Sequence, residues 1–342
     1  MYEVPQAMLD DIAARPDEPG VWEVLTDYLL EHDAPGATLA RCDLELFRGI
    51  SNPQLLEALS AARAERPRLP LESRNDFTAL WRCGFVVRLQ LTSGYAAEYV
   101  KSLLGAPALR GLHHLRWQDT TARNESIFEG DFQRPPVSIP GRMTELTACA
   151  PPHLRRFSLR LEGRRRPLPP SELSEVLEVL TARLPKKVER VDLAMSELAE
   201  PPVAPLTALA QRVKALNLDG TSLVGLSSEM VLGLVQSAPG CTFFLGGTGL
   251  STRELVHPRV QWLAPDVVAS LENEAGALIP LTPEHAHDGF SAPSWPQLSK
   301  YLKRELQGWS RANGAPIEGR ALLLVDGEVW KFAAVSRGEG KP

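Results

Sequence analysis

The sequence predicts an α/β fold in which short parallel strands alternate with helices in a repeating stack. Three observations lead to this prediction: a helical pattern at the start of the chain, six strand-like runs of similar form, and helical runs between them. With 342 residues, of which 44% are hydrophobic, the chain can bury a sizeable core in two or three folding units. We predict a helical domain at residues 1–75, repeats at 76–251, and a small α+β cap or appended domain at 252–342.

The first domain follows the period of a helix. Apolar residues recur every three to four positions between Met8 and Phe47, and the stretches RPDEPG and EHDAPG interrupt the pattern. Asn52 and Pro53 then supply an N-cap side chain and a proline at the first position of a further helix. This pattern predicts a small domain of packed helices.

Several features of residues 8–46, MLDDIAARPDEPGVWEVLTDYLLEHDAPGATLARCDLEL, are typical of a bacterial module. The stretch contains an Arg-Pro-Asp turn, the triplet Asp27-Tyr28-Leu29 followed by Glu31, and an Asp-Ala-Pro-Gly break. It resembles the repeat-companion domain, which often precedes leucine-rich repeats, although the family more often has Trp after the Asp and an adjacent Asp-Pro. Residues 81–91 resemble the RRGF-plus-strand segment that follows this domain, with Cys83 replacing the second basic residue. Since the family has no established catalytic residues, the resemblance implies an architecture rather than an activity.

The strand-like runs recur with the spacing of a leucine-rich repeat, and each has a form close to LxxLxL. Three of the five spacings between them are 25 to 27 residues, within the range typical of such repeats. The two longer spacings contain the insertions at 121–141 and 162–171, which lengthen loops at little entropic cost. The residues that open each LxL pair are Leu89, Leu115, Phe157, Val191, Leu216 and Phe243.

Helical runs are predicted between these strands at 95–104, 171–184 and 227–235, two of them opening with a capping serine, Ser171 and Ser227. The combination favours a leucine-rich repeat solenoid with outer helices. The alternative is a doubly wound α/β fold with a ligand crevice, which also alternates strands and helices, but no GxGxxG follows a strand here.

The side chains between the inward residues of each strand are expected to line an open concave face. Because side chains alternate along a strand, the neighbours of the anchors point the other way. We predict that this face binds another protein, one with an acidic segment that docks on its arginines. The alternative is that the arginines are solvated and balanced by Glu162, Glu189 and Asp192. The predicted partner-binding residues are Arg88, Gln90, His114, Arg116, Arg156, Ser158, Arg160, Arg190, Asp192 and Asn217.

Composition argues against several classes of partner. The net charge of −5 makes nucleic acid an unlikely ligand, although the run RRFSLRLEGRRR is a possible anion or nucleic-acid site. No stretch reaches the roughly 18 apolar residues that a membrane span needs, so we expect a cytoplasmic protein without membrane contact. The four cysteines lack CxxC spacing and are predicted to be buried thiols.

We predict no catalytic residues, no metal site and no cofactor, and therefore a scaffold rather than an enzyme. The stretch PEHAHDG contains His285 and His287, but its proline and glycine indicate a surface loop. The stretch GGTG, residues 246–249, is interpreted as a turn because no Lys-Ser or Lys-Thr follows it. The alternative is an effector or enzyme whose activity lies in the C-terminal region.

In that region we predict helices over Pro265–Leu271 and Pro296–Trp309. A hairpin should follow, with Asp326-Gly327 as its two-residue turn. The region would either cap the open end of the repeats or form a separate module.

Overall fold

We analysed a computed structural model of the chain. It describes residues 4–16, 18–34, 36–50, 52–62, 69, 77–92, 97–119, 138–161, 168–194, 202–219, 221, 223, 226–245, 248, 250, 255, 257–261, 267–273, 278–281, 319–325 and 328–335. The chain forms two compact units. The first contains residues 1–165 and 171–191, and the second contains 166–170 and 192–342.

The first unit begins with the predicted helical domain. Its core includes Leu9, Ile12, Trp22 and Leu25, which are almost fully buried at the spacing that the sequence pattern predicts. The predicted cap is also present, since the backbone N–H of Leu55 donates to Oδ1 of Asn52 at 2.8 Å. The helices that the structure describes in this region are α1 (Gln6–Ala14), α2 (Pro19–Glu31), α3 (Ala37–Phe47) and α4 (Pro53–Ala62).

A β-hairpin packs on this helical core. Strands β1 (Phe77–Arg82) and β2 (Phe85–Thr92) are antiparallel, and Arg82 lies opposite Phe85 across a two-residue turn. Cys83 in the turn is fully buried, with its Sγ 3.4 Å from the carbonyl oxygen of Ala40. The predicted first repeat strand is therefore correct, but the strand before it was not predicted.

The six strands predicted from the sequence spacing lie, together with β1 and β8, in one largely parallel sheet of eight strands, in the order β1-β2-β3-β4-β5-β6-β7-β8. Strand order equals chain order, as the repeat prediction requires. All six residues that mark the LxL pairs have 0% exposed area, which confirms that they point into the core. The strands after β2 are β3 (His114–Gln118), β4 (Arg156–Arg160), β5 (Arg190–Ala194), β6 (Ala215–Asn217), β7 (Thr242–Phe244) and β8 (Val260–Gln261).

Helices occupy the connections between strands. Three were predicted, α5 (Ala97–Leu104), α7 (Pro170–Arg183) and α9 (Ser228–Ser237), whereas α6 (Ile139–Cys149) and α8 (Val203–Arg212) were not. Ser227 is the N-cap of α9, where its Oγ accepts from the backbone N–H of Met230 at 3.2 Å. Ser171 is not a cap, because α7 already begins at Pro170.

The described C-terminal residues form a separate antiparallel sheet in the order β10-β9-β11-β12. The helix predicted over Pro265–Leu271 is wrong, because residues 267–273 form a strand with partners on both sides. The hairpin prediction is confirmed by the register, which places Val325 opposite Glu328. The helix predicted over Pro296–Trp309 lies outside the described residues. The strands are β9 (Val267–Asn273), β10 (Leu278–Leu281), β11 (Gly319–Val325) and β12 (Glu328–Val335).

Within the part of the chain that the structure describes, no helix combines the length and the apolar character needed to cross a bilayer.

Candidate binding surface on the parallel sheet

Nine polar side chains lie in three rows on the same face of β2, β3 and β4, and we call them the basic grid. Each row crosses the three strands at one register position. The backbones of neighbouring members are therefore about 4.8 Å apart, which is the spacing between strands. The rows are Arg88, His114, Arg156; Gln90, Arg116, Ser158; and Thr92, Gln118, Arg160.

The register of these rows agrees with the alignment predicted from the sequence. Arg88 pairs with His114, and His114 pairs with Arg156. The backbone N–H groups of Glu189 and Arg190 both donate to the carbonyl oxygen of Arg155, which continues the alignment onto β5. Seven of the ten predicted partner-binding residues therefore lie in one contiguous array on the first unit.

The exposure of these residues differs from the prediction. We expected an open face, but six of the ten side chains are buried. Gln90, Arg156, Arg160 and Arg190 are partly exposed. A partner that docks on this face can reach these four first. The buried residues are Arg88 (7% exposed), His114 (2%), Arg116 (1%), Ser158 (0%), Asp192 (0%) and Asn217 (1%).

Hydrogen bonds tie the rows of the grid together. Nε2 of His114 lies 2.7 Å from Oγ of Ser158 on the next strand. Within the second row, Nη1 of Arg116 donates to Oε1 of Gln90 at 3.3 Å. Nε2 of Gln90 in turn donates to Oε1 of Gln118 in the third row at 3.1 Å. Gln118 was not among the predicted binding residues, although its position two residues after Arg116 on the same face is a usable signal. Such cross-strand bonds hold the buried polar groups in fixed positions.

The grid is positively charged because of its arginines alone. Burial lowers the pKa of His114 well below its usual value, and the nearby Arg156 and Arg116 lower it further. Burial also lowers the pKa of the adjacent His113 to about 3, with Arg82 and Arg156 adding to the effect. Both histidines are therefore neutral near pH 7. Four of the nine grid positions are arginine and none is a carboxylate.

Of the carboxylates named in the alternative interpretation, Glu189 is described in the first unit. Oε1 of Glu189 lies 3.1 Å from Nη1 of Arg155, which is outside the grid. Glu162 lies outside the described residues.

In the second unit, the predicted residues Asp192 and Asn217 form a buried polar pair. Nδ2 of Asn217 donates to Oδ1 of Asp192 at 2.9 Å, and Oδ1 of Asn217 accepts from the backbone N–H of Asp219 at 2.8 Å. Oγ1 of Thr221 donates to the carbonyl oxygen of Leu193 at 2.9 Å. These bonds fix the backbone after β5 and β6, which is a structural role.

The described residues contain no group of three or more His, Cys, Asp or Glu side chains that could hold a metal ion. The stretch with His285 and His287 lies outside them, as do Gly246, Gly247 and Gly249 of GGTG. A scan against protein-family models finds no match to this chain, and a search of curated proteins finds no similar sequence.

Proposed function

We propose that this protein is a non-enzymatic interaction scaffold that works in the bacterial cytoplasm. In this proposal a repeat-companion domain precedes a leucine-rich repeat solenoid, whose concave face binds another protein. An acidic segment of that partner docks across the exposed parts of Arg156, Arg160 and Arg190.

The sheet order and the buried anchors support the solenoid. Strands that follow one another in the chain are neighbours in the sheet, and the pairs β2–β3, β3–β4, β6–β7 and β7–β8 are parallel. A single strand–helix unit cannot bury its own apolar edge, whereas stacked units bury a continuous core. The face opposite the anchors then becomes the shared surface of the repeats.

The observation that carries the binding proposal is the composition of the basic grid. Four guanidinium groups on adjacent strands create a positive potential at fixed positions. His114 is neutral, and none of the other grid positions carries a carboxylate that would offset this potential. An acidic segment laid across the strands would meet the partly exposed Arg156 and Arg160 of β4 and then Arg190 of β5. Arginine suits this role because its planar fork binds carboxylates in a bidentate manner.

The proposal is tested with a fluorescein-labelled peptide of alternating Glu and Ser, whose binding is followed by fluorescence anisotropy. We expect the affinity to fall at least fivefold when NaCl is raised from 50 to 300 mM, because salt screens exposed charge pairs. The variant R156E/R190E should weaken binding at least tenfold. Affinity capture from a native lysate, with wild type and R156E/R190E compared, then identifies the natural partner.

The matched control is R183E/K186E, which makes the same change in net charge at two exposed cations outside the grid. This variant should bind within twofold of wild type. Equal loss in both variants would mean that bulk charge attracts the peptide, and binding that ignores salt would also contradict the proposal. Circular dichroism and thermal unfolding verify that each variant is folded.

A further inference from the structure

A cleft in the first unit lies away from the basic grid. It is bounded by the end of α5, by a 3₁₀ helix over Pro107–Gly111, and by the turn that follows α6. Its volume is about 440 Å³, which falls in the range of small-molecule sites. All the residues that line it belong to the first unit.

The cleft has an apolar floor and a cationic rim. Leu104 and Leu109 are buried beneath it, with 7% and 1% of their area exposed. Lys101 and Arg110 line it and are exposed. The lining contains no carboxylate. A ligand that matches these features has a short apolar body and one negative charge.

Two backbone hydrogen bonds close the last turn of α5 beside the cleft. The backbone N–H of Gly105 donates to the carbonyl oxygen of Lys101 at 3.0 Å, and that of Ala106 donates to Leu103 at 2.9 Å. These bonds pair two carbonyl oxygens at the end of α5, next to Lys101.

His153 provides a polar wall with spare hydrogen-bonding capacity. Its side chain lines the cleft, and its Nε2 atom is buried with no hydrogen-bond partner among the described residues. Buried polar atoms are usually satisfied by protein, water or ligand. The ring therefore has one unsatisfied buried atom in a residue at the wall of the cleft.

We propose that this cleft binds a small amphipathic monoanion, of the class of a medium-chain carboxylate, with its charge between Lys101 and Arg110 and its apolar body on Leu104 and Leu109. The site is separate from the protein-binding face and does not depend on it.

The cleft contains its own reporter. Three of the four cysteines are buried, whereas Cys149 is partly exposed and lines the cleft. A thiol reagent such as iodoacetamide should therefore modify Cys149 first in the folded protein. An occupant should slow this reaction.

The experiment measures the rate of Cys149 alkylation by mass spectrometry of its peptide in the full chain, with octanoate as the probe. We expect 1 mM octanoate to slow alkylation at least threefold, and butylamine, a short amine of opposite charge, to have no effect. In K101A/R110A the octanoate concentration that gives half protection should rise at least tenfold. The matched control R183A/K186A removes two exposed cations outside the cleft and should behave as wild type.

Three results would overturn the proposal. Octanoate at 10 mM could leave the alkylation rate unchanged. K101A/R110A could lower the thermal stability and leave protection intact, in which case the two cations only complement the ends of the helices. The Glu-Ser peptide could protect Cys149 where octanoate does not, so that the cleft serves the protein-binding function instead.

Discussion

Two adjacent residues with positive φ close the β1–β2 hairpin. Cys83 has a φ of 49° and Gly84 a φ of 82°, the combination that a two-residue type I′ turn requires. The thiol of Cys83 is buried in the core of the helical domain, and burial raises its pKa to about 12, so it remains protonated. A lysine or arginine at this position would have to bury its charge.

Replacement of Gly84 by alanine should destabilise the protein. A Cβ at a φ of 82° is strained, and we expect a loss of roughly 1–2 kcal/mol in the free energy of unfolding, measured by urea denaturation. The matched control is Gly20→Ala in α2, where an added Cβ meets no atom within 4 Å. That variant should gain up to about 1 kcal/mol. Equal effects from the two substitutions would contradict the role of the turn.

Acidification should destabilise the protein through His113. Its pKa is about 3 in the folded state against the ordinary 6.5, so between these values the unfolded chain binds more protons than the folded chain. Stability is therefore complete above about pH 6.5 and falls as the pH drops toward 3, by about 1.4 kcal/mol per pH unit for one histidine deep in this window. Urea unfolding at pH 7.5, 6.5 and 5.5 measures the loss in a range where ordinary carboxyl groups stay ionised.

The variant His113→Gln assigns the effect. It removes one titrating group while keeping a polar side chain next to Arg88 and Arg156. Its unfolding free energy should depend less steeply on pH than that of the wild type. The slope should fall by up to the contribution of one titrating proton, about 1.4 kcal/mol per pH unit. The assignment to His113 fails if wild type and variant have the same slope between pH 6.5 and 5.5.

At the level of elements, the N-cap of α9 is a local feature that the sequence already identifies. Ser227→Ala removes the oxygen that accepts from the N–H of Met230 and should cost about 1 kcal/mol in unfolding free energy. Ser237→Ala, at the other end of the same helix, is the control, because Ser237 only donates to the carbonyl of Gly233. Its cost should stay below about 0.5 kcal/mol. Thermal and urea unfolding of the two variants measure the loss of unfolding free energy at each end of the helix.

Elements set by local patterns could be predicted, and those set by distant partners could not. The strands of the parallel sheet were found because each carries an LxL-like pair of apolar residues, and the structure buries the first residue of the pair, as at Leu89 and Leu216. Helix α6 was missed because Pro140 and Gly141 in its first turn are typical of loops, although proline is well tolerated there. Strand β9 was taken for a helix because its partners, β10 and β11, follow later in the chain.

The register of the candidate surface could also be predicted, but its exposure could not. The alternation along each strand places Arg88, His114 and Arg156 in one row. Whether a side chain in that row is exposed depends on contacts beyond the strand, which period-two alternation does not encode. Arg116 and Arg156 thus share a face but differ in exposure.

For the whole molecule, a sheet whose order equals chain order favours stability that spreads mainly between neighbouring strands. In a stack of repeats each unit contacts only the next, so damage to one strand weakens its neighbours more than distant strands. A closed core of a single domain would instead lose protection everywhere at once. The two alternatives differ in how far the effect of one cavity extends.

Leu115→Ala and Leu216→Ala measure that distance. Both side chains have 0% exposed area, so each truncation should leave a cavity and cost about 2–5 kcal/mol, whereas Met230→Ala, at a residue with 44% exposure, should cost little. Hydrogen exchange followed by mass spectrometry should show that Leu115→Ala speeds exchange mainly in β2 to β4, and Leu216→Ala mainly in β6 to β8. If both variants speed hydrogen exchange equally in all strands, the stack is contradicted. Such a result would mean that every strand depends on the same core.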